Sequence, residues 1–209
     1  MSKKYYWINV VPGAATICLV TSPLNTEIPP SHYKQTMSSY QVRPATSKDA
    51  KAVAQVHIAA WKAAYAGLMP EEHLNSHTLE KRQAFWREAI EFSEPQLLVA
   101  EDDDGKIVGF CGFDRSRDKA TPSTTGEIWA FYAEPALWDQ GVGLALWDAT
   151  LEACIEEGFN LLTLWVLLRN ERALRFFELA GFKRDMPSLK TIPAGSARLE
   201  EIRLKRPVA

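Results

Sequence analysis

Residues 138–159 read WDQGVGLALWDATLEACIEEGF, and the fold turns on how that stretch is taken. Gly141 and Gly143 sit one residue apart at the head of what reads as a long helix. Asp148, Glu152 and Glu156 recur every four residues, and most of the remaining surface is apolar. A helix lying against a sheet has this pattern. Glycine at a helix start lets a ligand come close to the backbone, and the exposed N–H groups there attract anions. The turn therefore suits an anion, above all a pyrophosphate; a plain tight bend is the other reading of so short a motif. A P-loop needs Gly-Lys-Ser/Thr after its last glycine, where Leu144-Ala145 stands. A Rossmann turn wants a small residue at position 146, where Leu146 stands, and follows its strand at once, whereas residues 134–140 intervene.

The surroundings of the turn alternate strands and helices. Downstream, NLLTLWVLL is a nearly continuous apolar run, as in a strand covered on both faces. NERALRFFELAGF follows as a helix, with Asn170 placed to cap it and Gly181 to end it. A last strand, ARLEEIRLKRP, alternates in its middle. Upstream, TTGEIWAFYAEP is a strand ended by Pro135. QLLVAEDD and KIVGFCGFDRS form a hairpin around Asp104-Gly105. Earlier still, YQVRPAT is a first strand, and Thr46 or Ser47 caps a helix whose apolar side holds Val53, Val56, Ile58, Ala60, Trp61 and Ala64. Gly67 and Pro70 break it. A second amphipathic helix over residues 77–92 turns Leu79, Ala84, Phe85 and Trp86 inward. The order β-α-α-β-β-β-α-β-α-β predicts a mixed α/β domain with helices packed on a central sheet.

The totals agree with one such domain. The chain has 209 residues, 46% of them hydrophobic, with 24 basic against 26 acidic side chains and no basic block, so nucleic acid is not an expected partner. The three cysteines, Cys18, Cys111 and Cys154, have no CxxC spacing. A disulfide framework or a metal site is not expected, and a reducing cytoplasm fits. No apolar run reaches the roughly 20 residues of a membrane span. Residues 1–40 differ in composition: they are rich in Ser, Thr and Pro and read as an N-terminal extension or linker. Met37, just before the regular pattern, is a candidate natural start. Two lysines before a mildly apolar run give the N-terminus a faint likeness to a signal peptide, which Asn9, Pro12 and Gly13 interrupt.

Across residues 41–207 the chain resembles the GCN5-related N-acetyltransferases. The likeness rests on linked features: a strand ending in Pro, the Gln-Gly-Val-Gly turn opening a helix, an apolar strand, and Asn-x-x-Ala-x-x-Phe-Phe-x-x-x-Gly-Phe. VHIAAWKAAYAGLMP looks like the first-helix signature of a bacterial branch. The resemblance implies a mixed sheet with helices on both faces, and that acetyl-CoA binds between two splayed parallel strands, here residues 127–133 and Leu161–Leu167. The backbone of Phe131, Tyr132 and Ala133 would pair with the pantetheine arm. The backbone of Asp139, Gln140, Gly141, Val142, Gly143 and Leu144 would hold the pyrophosphate, with the helix dipole adding to it. Trp138 stands where relatives often carry Arg or Gln, so its side chain supplies no charge. Asn170 matches an asparagine that contacts the cofactor arm, and it equally suits a helix cap.

The same resemblance sets expectations for the chemistry, which is acetyl transfer to a primary amine of a small molecule or a protein terminus. Phe177 stands where many relatives carry a tyrosine that protonates the departing thiolate. Phenylalanine has no proton to give, so Phe177 would pack near the cofactor sulfur, and water, Tyr132, Tyr65 or the amine itself would supply the proton. Glu127 occupies a position where relatives place the base that neutralises the amine, and it also suits a plain strand-end glutamate. Trp61 and Tyr65 are expected to face the acceptor cleft, with aromatic core as the alternative for Trp61. His57 reads as a packed histidine. The backbone N–H near Ala133 would stabilise the developing oxyanion. A non-catalytic acyl-CoA-binding module, motivated by Phe177, and a small nucleotide-binding domain are the alternatives. Many relatives are dimers, which makes a homodimer the expectation by analogy.

Overall fold

The computed structural model describes residues 40–208; the extension, the candidate start at Met37 and the signal-like run lie outside the described residues. Strand β1 is Gln41–Pro44, and α1 is Ala50–Tyr65. A single 3₁₀ turn precedes α1, where Thr46 and Asp49 form a reciprocal capping box. A five-residue α2, Glu71–Asn75, follows in the stretch expected only to break α1. Helix α3 is Leu79–Phe92, with Thr78 as its cap. Then come β2 (Gln96–Glu101), β3 (Ile107–Arg115), β4 (Thr125–Ala133), α4 (Val142–Glu156), β5 (Leu161–Leu167) and α5 (Glu171–Leu179). Two further strands, β6 (Lys183–Arg184) and β7 (Lys190–Ala194), precede β8 (Ala197–Pro207). They were not expected, because both are short and largely exposed.

The strands form one mixed sheet in the order β1-β2-β3-β4-β5-β8-β6, with β7 on the outer edge of β8. Among the described residues only β4 and β5 pair in parallel; the others are antiparallel. Helices cover both faces, as expected. On one face, Val142, Leu146 and Trp147 of α4 and Leu174, Phe176 and Phe177 of α5 meet Leu98, Phe131, Leu164 and Ile202. On the other, Val53, Val56 and Ala60 of α1 and Trp86 of α3 meet Leu97, Val99, Phe110 and Tyr132. This explains why LLVA in β2 is apolar throughout: alternate side chains enter opposite cores. A third cluster joins Trp61 and Tyr65 at the end of α1 to Leu74, Leu167, Ile192 and Leu199.

Helix α3 keeps most of its expected facing, with Trp86 buried and Leu79 and Phe85 packed against the same core. Ala84 is exposed, and Arg82, Trp86 and Ala89 are buried. These sit four and three residues apart on one stripe. The buried charge broke the apolar pattern from which the facing was read.

Helix α4 approaches the sheet closely because Gly109 of β3 carries no side chain. A Cβ there would stand 2.8 Å from Val142 Cγ1, 2.9 Å from Leu146 Cδ1 and 3.1 Å from Tyr132 O. Gly109→Val is therefore expected to cost about 2 kcal/mol or more through overpacking. A urea midpoint within error of wild type would contradict it.

Candidate active site

The ladder between β4 and β5 runs only from Thr125↔Leu161 to Ile128↔Leu164. At that point β4 takes one extra residue. Gly112 of β3 pairs with Ala130, but Phe113 pairs with Ile128, which leaves Trp129 bulged. Beyond the bulge, residues 129–133 follow β3, and Trp165, Val166 and Leu167 follow β8. The two parallel strands part, and the expected splay is present. Among the described residues, no ladder joins Phe131, Tyr132 and Ala133 to β5.

The glycine turn stands at the open end of this V. Gly141 caps α4 with φ 93°, and Asp139 has φ 64°. A side chain at Gly141 would be strained on that φ alone. The first intrahelical bond is Ala145 N–H to Gly141 O, at 3.0 Å. The N–H groups of Val142, Gly143 and Leu144 thus have no intrahelical acceptor, and they carry the positive end of the helix dipole. Trp138 is fastened by its Nε1–H to Ala133 O at 2.9 Å, which ties the turn to the end of β4. Arg172, in the first turn of α5, holds its guanidinium carbon 4.2 Å from the centre of the Trp138 ring. The charge that Trp138 cannot supply thus arrives from the next helix. The only sequence signal for it was its place two residues after Asn170.

Asn170 is buried and caps α5: its Oδ1 accepts from Ala173 N–H at 3.2 Å, and its Nδ2 donates to Tyr65 Oη at 3.4 Å. Its side chain is used in tying α5 to α1. Tyr65 is fully buried in the third cluster, and Trp61 stacks on His77 with ring centroids 4.8 Å apart. Phe177 is enclosed edge-on by Phe131, Trp147 and Phe182, at 5.6, 6.0 and 5.3 Å. It belongs to the aromatic core between α4, α5 and β4. Tyr132 points to the opposite face, its ring stacked on His57 at 4.6 Å. His57 accepts from Trp86 Nε1–H at 3.0 Å, and burial together with the Arg82 charge holds its pKa well below the ordinary value. It is the packed histidine expected.

Glu127 is almost fully buried, and Arg117 engages both of its oxygens. The Arg117 backbone N–H donates to Oε2 at 2.8 Å, and the guanidinium holds Oε1 through Nε at 3.1 Å and through Nη2. This corrects the reading of Glu127 as an exposed strand end. It also shows that the loop after β3 docks on the sheet, because Asp118 likewise pairs with Arg203. Strand alternation places Glu127, Thr163, Trp165 and Glu201 on the α1 face of the sheet. Glu201 was not singled out in the sequence, where the two adjacent glutamates look solvated. It is fully buried opposite Leu167, with Lys190 Nζ 3.1 Å from Oε1 but out of hydrogen-bond alignment, so neither oxygen accepts a hydrogen bond among the described residues. Burial raises its pKa to about 7, against the lowering effect of Lys190 and Arg117.

Cys111 and Cys154 are buried free thiols, and burial raises both. Among the described residues no group of three or more His, Cys, Asp or Glu could hold a metal ion, and no helix is long and apolar enough to cross a membrane.

A splayed parallel pair, a bulge and a glycine-capped helix define an acyl-CoA N-acyltransferase fold. The sequence model of the Acetyltransferase (GNAT) family matches residues 59–182, more than half of the chain, so the chain belongs to this family and is an N-acetyltransferase by class. The uncharacterized N-acetyltransferase YuaI of Bacillus subtilis is 28% identical over 171 residues, which are 72% of this chain and 96% of that one. Among solved structures, the PaiA N-acetyltransferase of Thermoplasma acidophilum in complex with coenzyme A superposes with a TM-score of 0.66 at 20% identity, over 81% of this chain and 99% of that one. YncA of Salmonella typhimurium with its cofactor acetyl-CoA gives 0.65 at 19% identity, over 82% and 95%. These two structures share the fold.

Proposed function

We propose that the chain moves an acetyl group from acetyl-CoA to a primary amine by direct attack in a ternary complex. The observation that carries this reading is the V itself: the β4–β5 ladder ends at Ile128↔Leu164, and the anion cradle lies at its open end. The amides of Val142, Gly143 and Leu144 suit a pyrophosphate, with Arg172 adding charge beside Trp138. The end of β4 beyond its ladder with β5, over Phe131, Tyr132 and Ala133, suits an extended pantetheine arm, bound as one more strand. Acetyl-CoA supplies an activated thioester carbonyl; the amine nitrogen bonds to its carbon, and the C–S bond breaks.

The chain's own part is to accept the amine's proton and to donate hydrogen bonds to the oxyanion from the backbone N–H near Ala133. Glu127 and Glu201 both stand on the acceptor face. Arg117 occupies the lone pairs of Glu127, while Glu201, at about 7, has the better-matched basicity. A base must be ionised to act, so kcat/KM is expected to fall as pH drops below about 7, and Glu201→Gln is expected to lose that limb. A limb unchanged in Glu201→Gln and lost in Glu127→Gln would return the role to Glu127. Phe177 leaves the thiolate's proton to water, Tyr132, Tyr65 or the amine. The test of the reading is release of CoA thiol from acetyl-CoA over a panel of primary amines. Tight acetyl-CoA binding without turnover on any amine would favour the alternative, a non-catalytic acyl-CoA-binding module.

A further inference from the structure

Arg82 is the feature the acetyl-transfer reading leaves unexplained. It lies on the inner stripe of α3, only 8% exposed. Its guanidinium makes no hydrogen bond and no ion pair among the described residues. Burying most of a cation without a partner is unfavourable, and burial lowers its pKa; none of its nitrogens is among the fully buried unpaired atoms, so the guanidinium still meets solvent. The groups around it are Tyr132, His57 and His77, none of them an anion at neutral pH. His77 is itself held down to about 4 by burial and by the charges of Arg82, His73 and Lys81, all cationic or neutral. Two more polar atoms without hydrogen-bond partners among the described residues belong to rings beside His77: Trp61 Nε1, fully buried with its ring stacked on His77, and His73 Nε2, whose ring centroid is 6.0 Å from that of His77.

A guanidinium, an indole N–H and an imidazole nitrogen, gathered on the acceptor face with no counter-charge, fit an anion. A planar carboxylate matches the fork of the guanidinium best. We propose that Arg82, with Trp61 and His73, forms an anion-holding part of the acceptor subsite, so that the acceptor carries a carboxylate beside its amine. The acceptor half of this statement rests on the acetyl-transfer reading; the anion half does not. The cost of the lone charge is met when the carboxylate arrives, and an amine without one leaves Arg82 unpaired.

The full chain is titrated with acetate at constant ionic strength, following the Trp61 indole N–H and the His77 ring by NMR. Saturable shifts are expected, together with a rise of the His77 midpoint from about 4, because the anion offsets the Arg82 charge. Arg82→Gln is expected to lose the acetate response, and Arg82→Lys to keep part of it. Arg82→Gln is also expected to melt no lower than wild type, since it removes an uncompensated buried charge; Arg82→Lys serves if it does not fold. No response in wild type, or an equal one in Arg82→Gln, overturns the site. A stronger response to inorganic phosphate overturns the carboxylate assignment. In turnover, kcat/KM for amino acids over the corresponding amino acid amides is expected to exceed about tenfold in wild type, and that ratio to fall about tenfold in Arg82→Gln. An unchanged ratio overturns the acceptor half. If acetyl-CoA binds and no amine turns over, the transferase reading falls, and the acetate titration still decides Arg82.

Discussion

Acetyl-CoA affinity is expected to fall roughly 100-fold when Gly143 is replaced by Asp. Gly143 is the second residue of α4, in the turn whose amides have no intrahelical acceptor. A carboxylate there competes for those N–H groups and repels an incoming pyrophosphate. Two unit charges about 4 Å apart near a protein surface interact by about 4 kcal/mol, and a hundredfold loss needs only about 3 kcal/mol. Gly143 is itself buried, so desolvation of the carboxylate opposes the gain of about 0.5 kcal/mol that an acid in the first turn draws from the helix dipole. The melting temperature is therefore read beside the affinity. Gly143→Asn separates charge from shape: it is expected to weaken binding several-fold less. Titration calorimetry of the three proteins measures this. Equal affinities for wild type and Gly143→Asp would mean that the turn is only a bend, and the cradle would fall with it.

What made the turn legible is that a helix start signals itself locally. Two glycines, the four-residue acidic stripe and the flanking apolar strand are all short-range patterns. The same holds for the β2–β3 hairpin at Asp104-Gly105 and for the Asn170 cap. What escaped the sequence depends on long-range geometry. The bulge at Trp129 exists because β4 must follow β3 while leaving β5, and nothing in EIWAF announces a bulge. The buried charges are a second case. Arg82 and Glu201 look like solvated positions in KRQAF and LEEI, yet both are buried on the α1 face of the sheet. Charge is read as surface by default, so the glycine turn was readable and these buried charged positions were not.

The strongest stability effect on that face is expected from Arg117→Ala, about 3 kcal/mol at pH 8. The two partners are unequally placed: the Glu127 side chain is 1% exposed and that of Arg117 32%. Removing the arginine strands a buried carboxylate with one remaining bond, from the backbone N–H of residue 117, whereas removing the carboxylate frees an arginine that can turn to solvent. Glu127→Gln is accordingly expected to cost only about 1 kcal/mol, since its amide oxygen still accepts that N–H. The sign with pH follows from the stranded acid. What Arg117→Ala leaves behind is a buried negative charge without its cation. The deficit is therefore expected to be larger at pH 8, where carboxylates are charged, than at pH 5. The double variant Arg117→Ala, Glu127→Gln is expected to recover most of the loss at pH 8. Urea midpoints at pH 5 and 8 measure all four arms of this cycle. A deficit of equal size at both pH values, with no recovery in the double variant, would show that Arg117 acts through packing on Trp129, whose ring centre lies 4.4 Å from the guanidinium carbon, and not through the buried charge.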